Sequence, residues 1–152
     1  MPASIRLVRD LGIPVGDARW PAGIGIVPFR ASLAPQAHAL LHRAYATGGG
    51  SVPAEFDTWW AKTRYDSEFD ANLCFIAAAG GEPVGFALCW TAAFIKDIAV
   101  DPAFRRQGIG EALLRTAFTA FARRGAKTVT LKAHADNAIA LRLYRRLGFR
   151  EA

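Results

Sequence analysis

Leu113, Leu114, Ala117, Phe118 and Phe121 recur at the spacing of one helix face. A glycine precedes this run and Gly125 follows it, which predicts a helix from about Gly108 to Arg124. Upstream, Pro35 opens a helix to about Ala46 with Leu40, Leu41 and Ala44 on one side, stopped by Gly48-Gly49-Gly50. Pro53 begins another, whose Phe56, Trp59 and Trp60 form a stripe that belongs in a core. Asn72–Ala79, Val84–Thr91 and Phe94–Val100 read as strands with short links, so they should pair as an antiparallel meander. Thr128–Ala133 alternates and is rich in β-branched residues, a strand expected to run parallel to the one before the long helix. Asp136 or Asn137 caps a last helix that ends at Gly148, and Phe149 begins a final strand. Near the start, Ile5–Arg9 reads as a short strand and Gly25–Arg30 as a longer one, with Gly12, Pro14, Gly16, Pro21 and Gly23 breaking the chain between them.

Composition narrows the class. With 152 residues, 52% hydrophobic and 21% charged, residues 1–152 read as one globular domain with a mixed α/β sheet, residues 1–24 forming an extension of unassigned structure. Cys74 and Cys89 sit inside apolar runs, as buried reduced thiols of a cytoplasmic protein do. No charged n-region followed by an apolar segment opens the sequence, and the longest apolar stretch, Val84–Ile95, is too short to span a bilayer; no membrane partner is expected. The net charge of +6 is unevenly placed. Arg105–Arg150 holds eleven basic residues against Glu111 and Asp136, a net of +9, and the rest of the chain carries −3. That field suits a polyanionic ligand.

Arg105-Arg106-Gln107-Gly108-Ile109-Gly110 gives the ligand a place. The segment follows the apolar strand Ile98-Ala99-Val100 and runs into the helix at Glu111. A strand that passes through a glycine turn into a helix N-terminus leaves backbone N–H groups unpaired at the positive end of the helix dipole. Such a turn holds phosphate, and the glycines let it come close. Arg105 and Arg106 can add charge-assisted bonds. No Lys-Ser/Thr pair follows Gly110, and Leu113 stands where a dinucleotide fingerprint needs a third small residue.

Two motifs carry a family resemblance. Val100-x-Pro102-x-x-Arg105-x-x-Gly108-x-Gly110 resembles the acyl-coenzyme A signature of the GNAT (Gcn5-related) N-acetyltransferases. Asn137-x-x-Ala140-x-x-x-Tyr144-x-x-x-Gly148-Phe149 resembles that family's downstream segment, in the same order and at the usual separation. The resemblance implies a GNAT-like acyl-CoA N-acyltransferase fold, a mixed antiparallel and parallel sheet with helices on both faces. It implies acetyl-CoA as the acyl donor, transfer to a primary amine by direct attack in a ternary complex, and no metal. It also implies that Arg105, Arg106, Gln107, Gly108, Ile109, Gly110 and Glu111 hold the pyrophosphate, and that the backbone of Ile98, Ala99 and Val100 pairs with the pantetheine arm. Asn137 and Ala140 belong to the same cofactor-binding set, and Tyr144 is the acid that protonates the departing thiolate. GNAT domains carry more strand after the Gly-Phe pair than Arg150-Glu151-Ala152 provides, so Ile5–Arg9 is expected to add an edge strand, within the chain or across a homodimer.

The base is less defined. Asp97 is the nearest carboxylate, and alternation sets it on the face opposite Lys96 and Ile98. His134 could also accept a proton, though a strand-end histidine is ordinarily solvated. His38 and His42 stand four apart on a helix but lack the third ligand of a metal motif. Glu55, Asp57, Asp66, Glu68 and Asp70 cluster in the N-terminal half, which suits a cationic acceptor such as a polyamine, an aminoglycoside or a basic peptide end. Small-molecule and peptide or protein amines both stay open. Two other classes compete: an acyl-CoA-binding sensor that would not need Tyr144, and a nucleic-acid module using the basic half, disfavoured because no recognised nucleic-acid motif is present.

Overall fold

The computed structural model describes residues 3–152; Met1 and Pro2, at the start of the N-terminal extension, lie outside them. The elements in chain order are β1 (Ser4–Asp10), β2 (Ile24–Pro28), α1 (Ala34–Tyr45), α2 (Phe56–Arg64), β3 (Phe69–Ala79), β4 (Glu82–Trp90), β5 (Phe94–Val100), α3 (Ile109–Arg123), β6 (Thr128–His134), α4 (Ala138–Arg146) and β7 (Arg150–Glu151). They form one seven-stranded sheet in the order β2-β3-β4-β5-β6-β1-β7. The meander β2 to β5 is antiparallel, and β5 to β6 is the parallel step.

Adjacent residues of the central strands enter opposite cores, as the two-residue period of a strand requires. In β4, Ala87 and Cys89 join the layer formed with α3 and α4, whereas Phe86 and Leu88 join the layer formed with α1 and α2. The helices therefore cover both faces, which is the expected mixed-sheet architecture. Phe118 and Phe121 of α3 are 1% exposed, and Trp59 of α2 is 3% exposed, so the aromatic stripe is core. Cys74 and Cys89 are free buried thiols, and burial raises the thiol of Cys74 to about 12.

The N-terminal strand departs from the expectation. β1 is an interior strand, inserted between β6 and β7: Leu7 pairs with Leu131 on one side and with Glu151 on the other. Its partners come from the same chain, and β7 is the edge. Arg9 anchors the extension. Only 4% exposed, it donates from Nε to the Leu147 carbonyl (2.6 Å), and from the guanidinium to Asp10, Ile13 and Pro14 carbonyls, while stacking over Phe118.

Candidate active site

Strands β5 and β6 pair only at Phe94 with Thr130 and Ile95 with Leu131, and then diverge toward their C-terminal ends. Among the described residues Lys96–Val100 consequently has no strand partner on that side, although β4 pairs along its other side up to Gly85 and Val100. A buried strand with a free edge is an acceptor and donor row for another extended chain. The notch is a cavity of about 390 Å³, lined among others by Tyr45, Asp97, Ile98, Lys132, His134 and Tyr144.

The turn after β5 ends in the expected donor cluster. Gly108 caps α3 in the left-handed conformation (φ 87°), which a Cβ would strain, and Arg106 also has a positive φ of 65°. Among the described residues, the N–H groups of Gln107, Gly108, Ile109, Gly110 and Glu111 have no hydrogen-bond acceptor. These donors, at the positive end of a fifteen-residue helix, fit a phosphate group. The side chains divide differently from the expectation. Arg105 is turned toward α1, donating to the Ala44 carbonyl (3.1 Å) and Thr47 Oγ1 (3.4 Å), so it braces the turn. Arg106 and Gln107 are exposed and without an intramolecular partner. The Glu111 carboxylate is taken up by Arg146 (2.7 Å) and Arg115 (3.1 Å), which hold it below the usual carboxylate range and tie α3 to α4.

Asn137 caps α4 by accepting from the Ala140 N–H through Oδ1, at 3.2 Å, which leaves its amide NH2 as a donor. Tyr144, two turns along the same helix, is 9% exposed and lines the notch. Burial alone pushes its phenol up to about 12, so it is protonated throughout the neutral range.

A single extra residue determines where Asp97 points. Leu88 pairs with Asp97 but Cys89 pairs with Ile95, so Lys96 is bulged out of the ladder. The bulge breaks the alternation: Ile95 joins the α3–α4 layer, whereas Ala99, two residues beyond Asp97, joins the α1–α2 layer. Asp97 is thereby on the α1–α2 side and 8% exposed, and Tyr45, at the end of α1, donates from its hydroxyl to Oδ1 at 2.8 Å. Burial raises the Asp97 pKa, while Lys96 (Nζ to Oδ2, 3.7 Å) and the Tyr45 hydroxyl pull it down. The Tyr45 phenol is raised well above 10 by burial and by Asp97, and the Ile98 N–H opposes that shift from the notch side. Sequence reasoning missed Tyr45, since an aromatic at a helix end carries no local mark of a partner 52 residues away.

A smaller cavity of about 200 Å³ adjoins on the α1–α2 face and shares Ser51, Lys96 and Asp97 with the first. Of the acidic cluster, Asp66 lines it. Glu68 is spent on Thr91 Oγ1 and the Ala92 N–H, and Asp70 on Arg124 and the Asn72 N–H, so these two carboxylates hold loops and helices together. His38 is buried against the Pro53 carbonyl (2.7 Å), and no group of three or more His, Cys, Asp or Glu fit to hold a metal occurs among the described residues. Nor is any helix among them long and apolar enough to cross a membrane.

Comparison with known proteins agrees with this geometry. A family model for the acetyltransferase (GNAT) family matches residues 36–149. The chain is 37% identical over 97 residues to the ribosomal protein bS18-alanine N-acetyltransferase of Escherichia coli, covering 62% of this chain and 66% of that one. It is 34% identical over 153 residues to mycothiol acetyltransferase of Clavibacter sepedonicus, covering 95% of this chain and 49% of that one, so it spans about half the length of that relative. A crystal structure of a GCN5-related N-acetyltransferase from Sphaerobacter thermophilus superposes with a TM-score of 0.84 at 27% identity, covering 100% of this chain and 50% of that one. With the family model spanning both motifs and most of the sheet, the chain belongs to the GNAT acetyltransferase family.

Proposed function

We propose that residues 1–152 form one N-acetyltransferase domain that transfers the acetyl group of acetyl-CoA to a primary amine, on a small molecule or on a peptide or protein, by direct attack. The observation that carries this reading is the notch itself: the edge of Lys96–Val100 without a strand partner runs from the free N–H groups of Gln107–Glu111 toward Tyr144, which lines the notch. The turn binds the pyrophosphate through those N–H groups. The edge of β5 pairs with the amides of the pantetheine arm, and the Asn137 amide donates to it.

The thioester carbonyl then lies beside the Ile98 N–H, which stabilises the oxyanion formed as the amine attacks. Asp97 takes the proton that the ammonium must lose. Its raised pKa, set mainly by burial, makes it a better base than an ordinary carboxylate. The thiolate leaves on the opposite side of the sheet, where Tyr144 protonates it. Amide and free CoA thiol are the products.

Stabilisation by CoA and acetyl-CoA in a thermal melt, followed by transfer of isotope-labelled acetyl to pooled amines, tests the reading. Stabilisation without transfer to any amine would favour the sensor. No stabilisation would remove acyl-CoA binding altogether.

A further inference from the structure

The second cavity supplies a substrate class for the acceptor, an inference that rests on the acyltransferase reading. It opens on the α1–α2 face, the side to which the Lys96 bulge turns Asp97, whereas Tyr144 stands on the α3–α4 side. An amine approaching Asp97 without crossing the donor's notch therefore comes through this cavity. Its volume of about 200 Å³ is below the roughly 300 Å³ at which drug-sized ligands begin to fit, which excludes a multi-ring scaffold from its interior. Trp59, Leu88, Trp90 and Val52 make its walls mostly apolar.

Its charges are two of each sign: Lys62 and Lys96 against Asp66 and Asp97. Lys96 occupies the position that a substrate ammonium would take, with Nζ 3.7 Å from Asp97 Oδ2. Its side chain is 47% exposed, so it can be displaced. An ammonium that replaces Lys96 at Asp97 sets that lysine free, and together with Lys62 it can receive an anion. A polyamine would add uncompensated positive charge to a site that is already neutral; a zwitterion exchanges partners without net change. We infer that the acceptor is a compact amine with a carboxylate close to it and an apolar body, the chemistry of an apolar α-amino acid, its ammonium on Asp97, its carboxylate on Lys62 and Lys96, and its side chain against Trp59 and Trp90.

Initial rates with leucine, leucinamide and spermidine at saturating acetyl-CoA test this, alongside a thermal melt with CoA. Leucine should exceed leucinamide in kcat/KM by about tenfold, since the amide lacks the anion. Lys62→Gln should reduce the leucine value about fivefold, the size of an exposed ion pair, and reduce leucinamide by less, since the amide has no anion for Lys62 to meet. If CoA raises the melting temperature but leucinamide or spermidine equals or exceeds leucine, or leucine is not acetylated, the acceptor assignment is overturned and the acyl-CoA site stands. Failure of CoA to stabilise the chain removes both.

Discussion

Tyr45 and Asp97, on α1 and β5, are joined by a 2.8 Å hydrogen bond from the phenol to a carboxylate that is 8% exposed. The bond favours the charged form of Asp97, in opposition to burial. If Asp97 is the base, kcat/KM falls as pH drops through its pKa, and that limb lies above the ordinary carboxylate range because burial is the largest influence. Tyr45→Phe removes a bond to the ionised form, so the limb should move to higher pH with activity above it largely retained. The surrounding titratable and charged groups are Lys96, Lys62, Asp66, Lys132, His134 and Tyr144, and none is altered by this change. A pH profile of unchanged midpoint would sink the assignment.

The same burial sets stability against activity. A carboxylate whose folded pKa exceeds its unfolded value binds its proton more tightly in the native state. Stability from that difference is present below the unfolded pKa and is lost as pH rises through the raised folded value, so above it the buried carboxylate is a net liability. Asp97→Asn keeps the shape and an acceptor for Tyr45. It should raise the midpoint of urea unfolding at pH 7, give no such gain at pH 3, and lower kcat by about 10²-fold or more, as expected when a general base is removed.

Tyr144→Phe tests the proposed acid. The phenol stays protonated to about 12, so its donor role has no basic limb in the measurable range. Its removal should reduce kcat by roughly 10²-fold while leaving KM for acetyl-CoA within about threefold, a loss confined to the transition state. A raised KM with kcat unchanged would instead assign Tyr144 to binding.

The parts legible in the sequence are those written in local pattern. The Gly108 turn, the Asn137 cap and every helix but the short second one lie within a residue or two of where periodicity and punctuation set them. Three features were not legible, each because it depends on contacts distant in sequence. The bulge at Lys96 is one extra residue in the strand Phe94–Val100 with no glycine or proline to mark it, and it sets Asp97 on the same face as Ala99 rather than that of Ile95. Arg105 resembles a phosphate ligand until α1 supplies the Ala44 carbonyl. The acidic cluster looks like a cation site until Arg124 and the Thr91–Ala92 turn consume Asp70 and Glu68.

Arg9 provides a test of the N-terminal strand. Its guanidinium serves carbonyls at residues 10, 13, 14 and 147, and burial lowers its pKa. Lysine has no planar fork and cannot meet that set, so Arg9→Lys should destabilise the chain by about 1–3 kcal/mol in urea unfolding through unsatisfied buried carbonyls. A change below about 0.5 kcal/mol, the range of ordinary surface substitutions, would mean that β1 docks through its strand pairing alone.

Gly85 links packing to the turn proposed to hold the pyrophosphate. It sits on β4 opposite Val100, where a Cβ would approach Ile109 Cγ2 to 2.9 Å and Leu113 Cδ1 to 3.0 Å. Ile109 is the first residue of α3 and 1% exposed, so it cannot swing aside as a surface side chain would. Gly85→Ala must lift the first turn of α3 off the sheet, displacing the Ile109, Gly110 and Glu111 N–H groups from their present line. Overpacking of this kind costs about 1–3 kcal/mol of stability. The informative readout is CoA binding measured by calorimetry well below the melting temperature, where the variant is fully folded. Weakened CoA affinity there would show that the proposed anion site depends on how closely α3 seats on β4; unchanged affinity would show that the turn is held by Arg105 and the Asp101 cap instead.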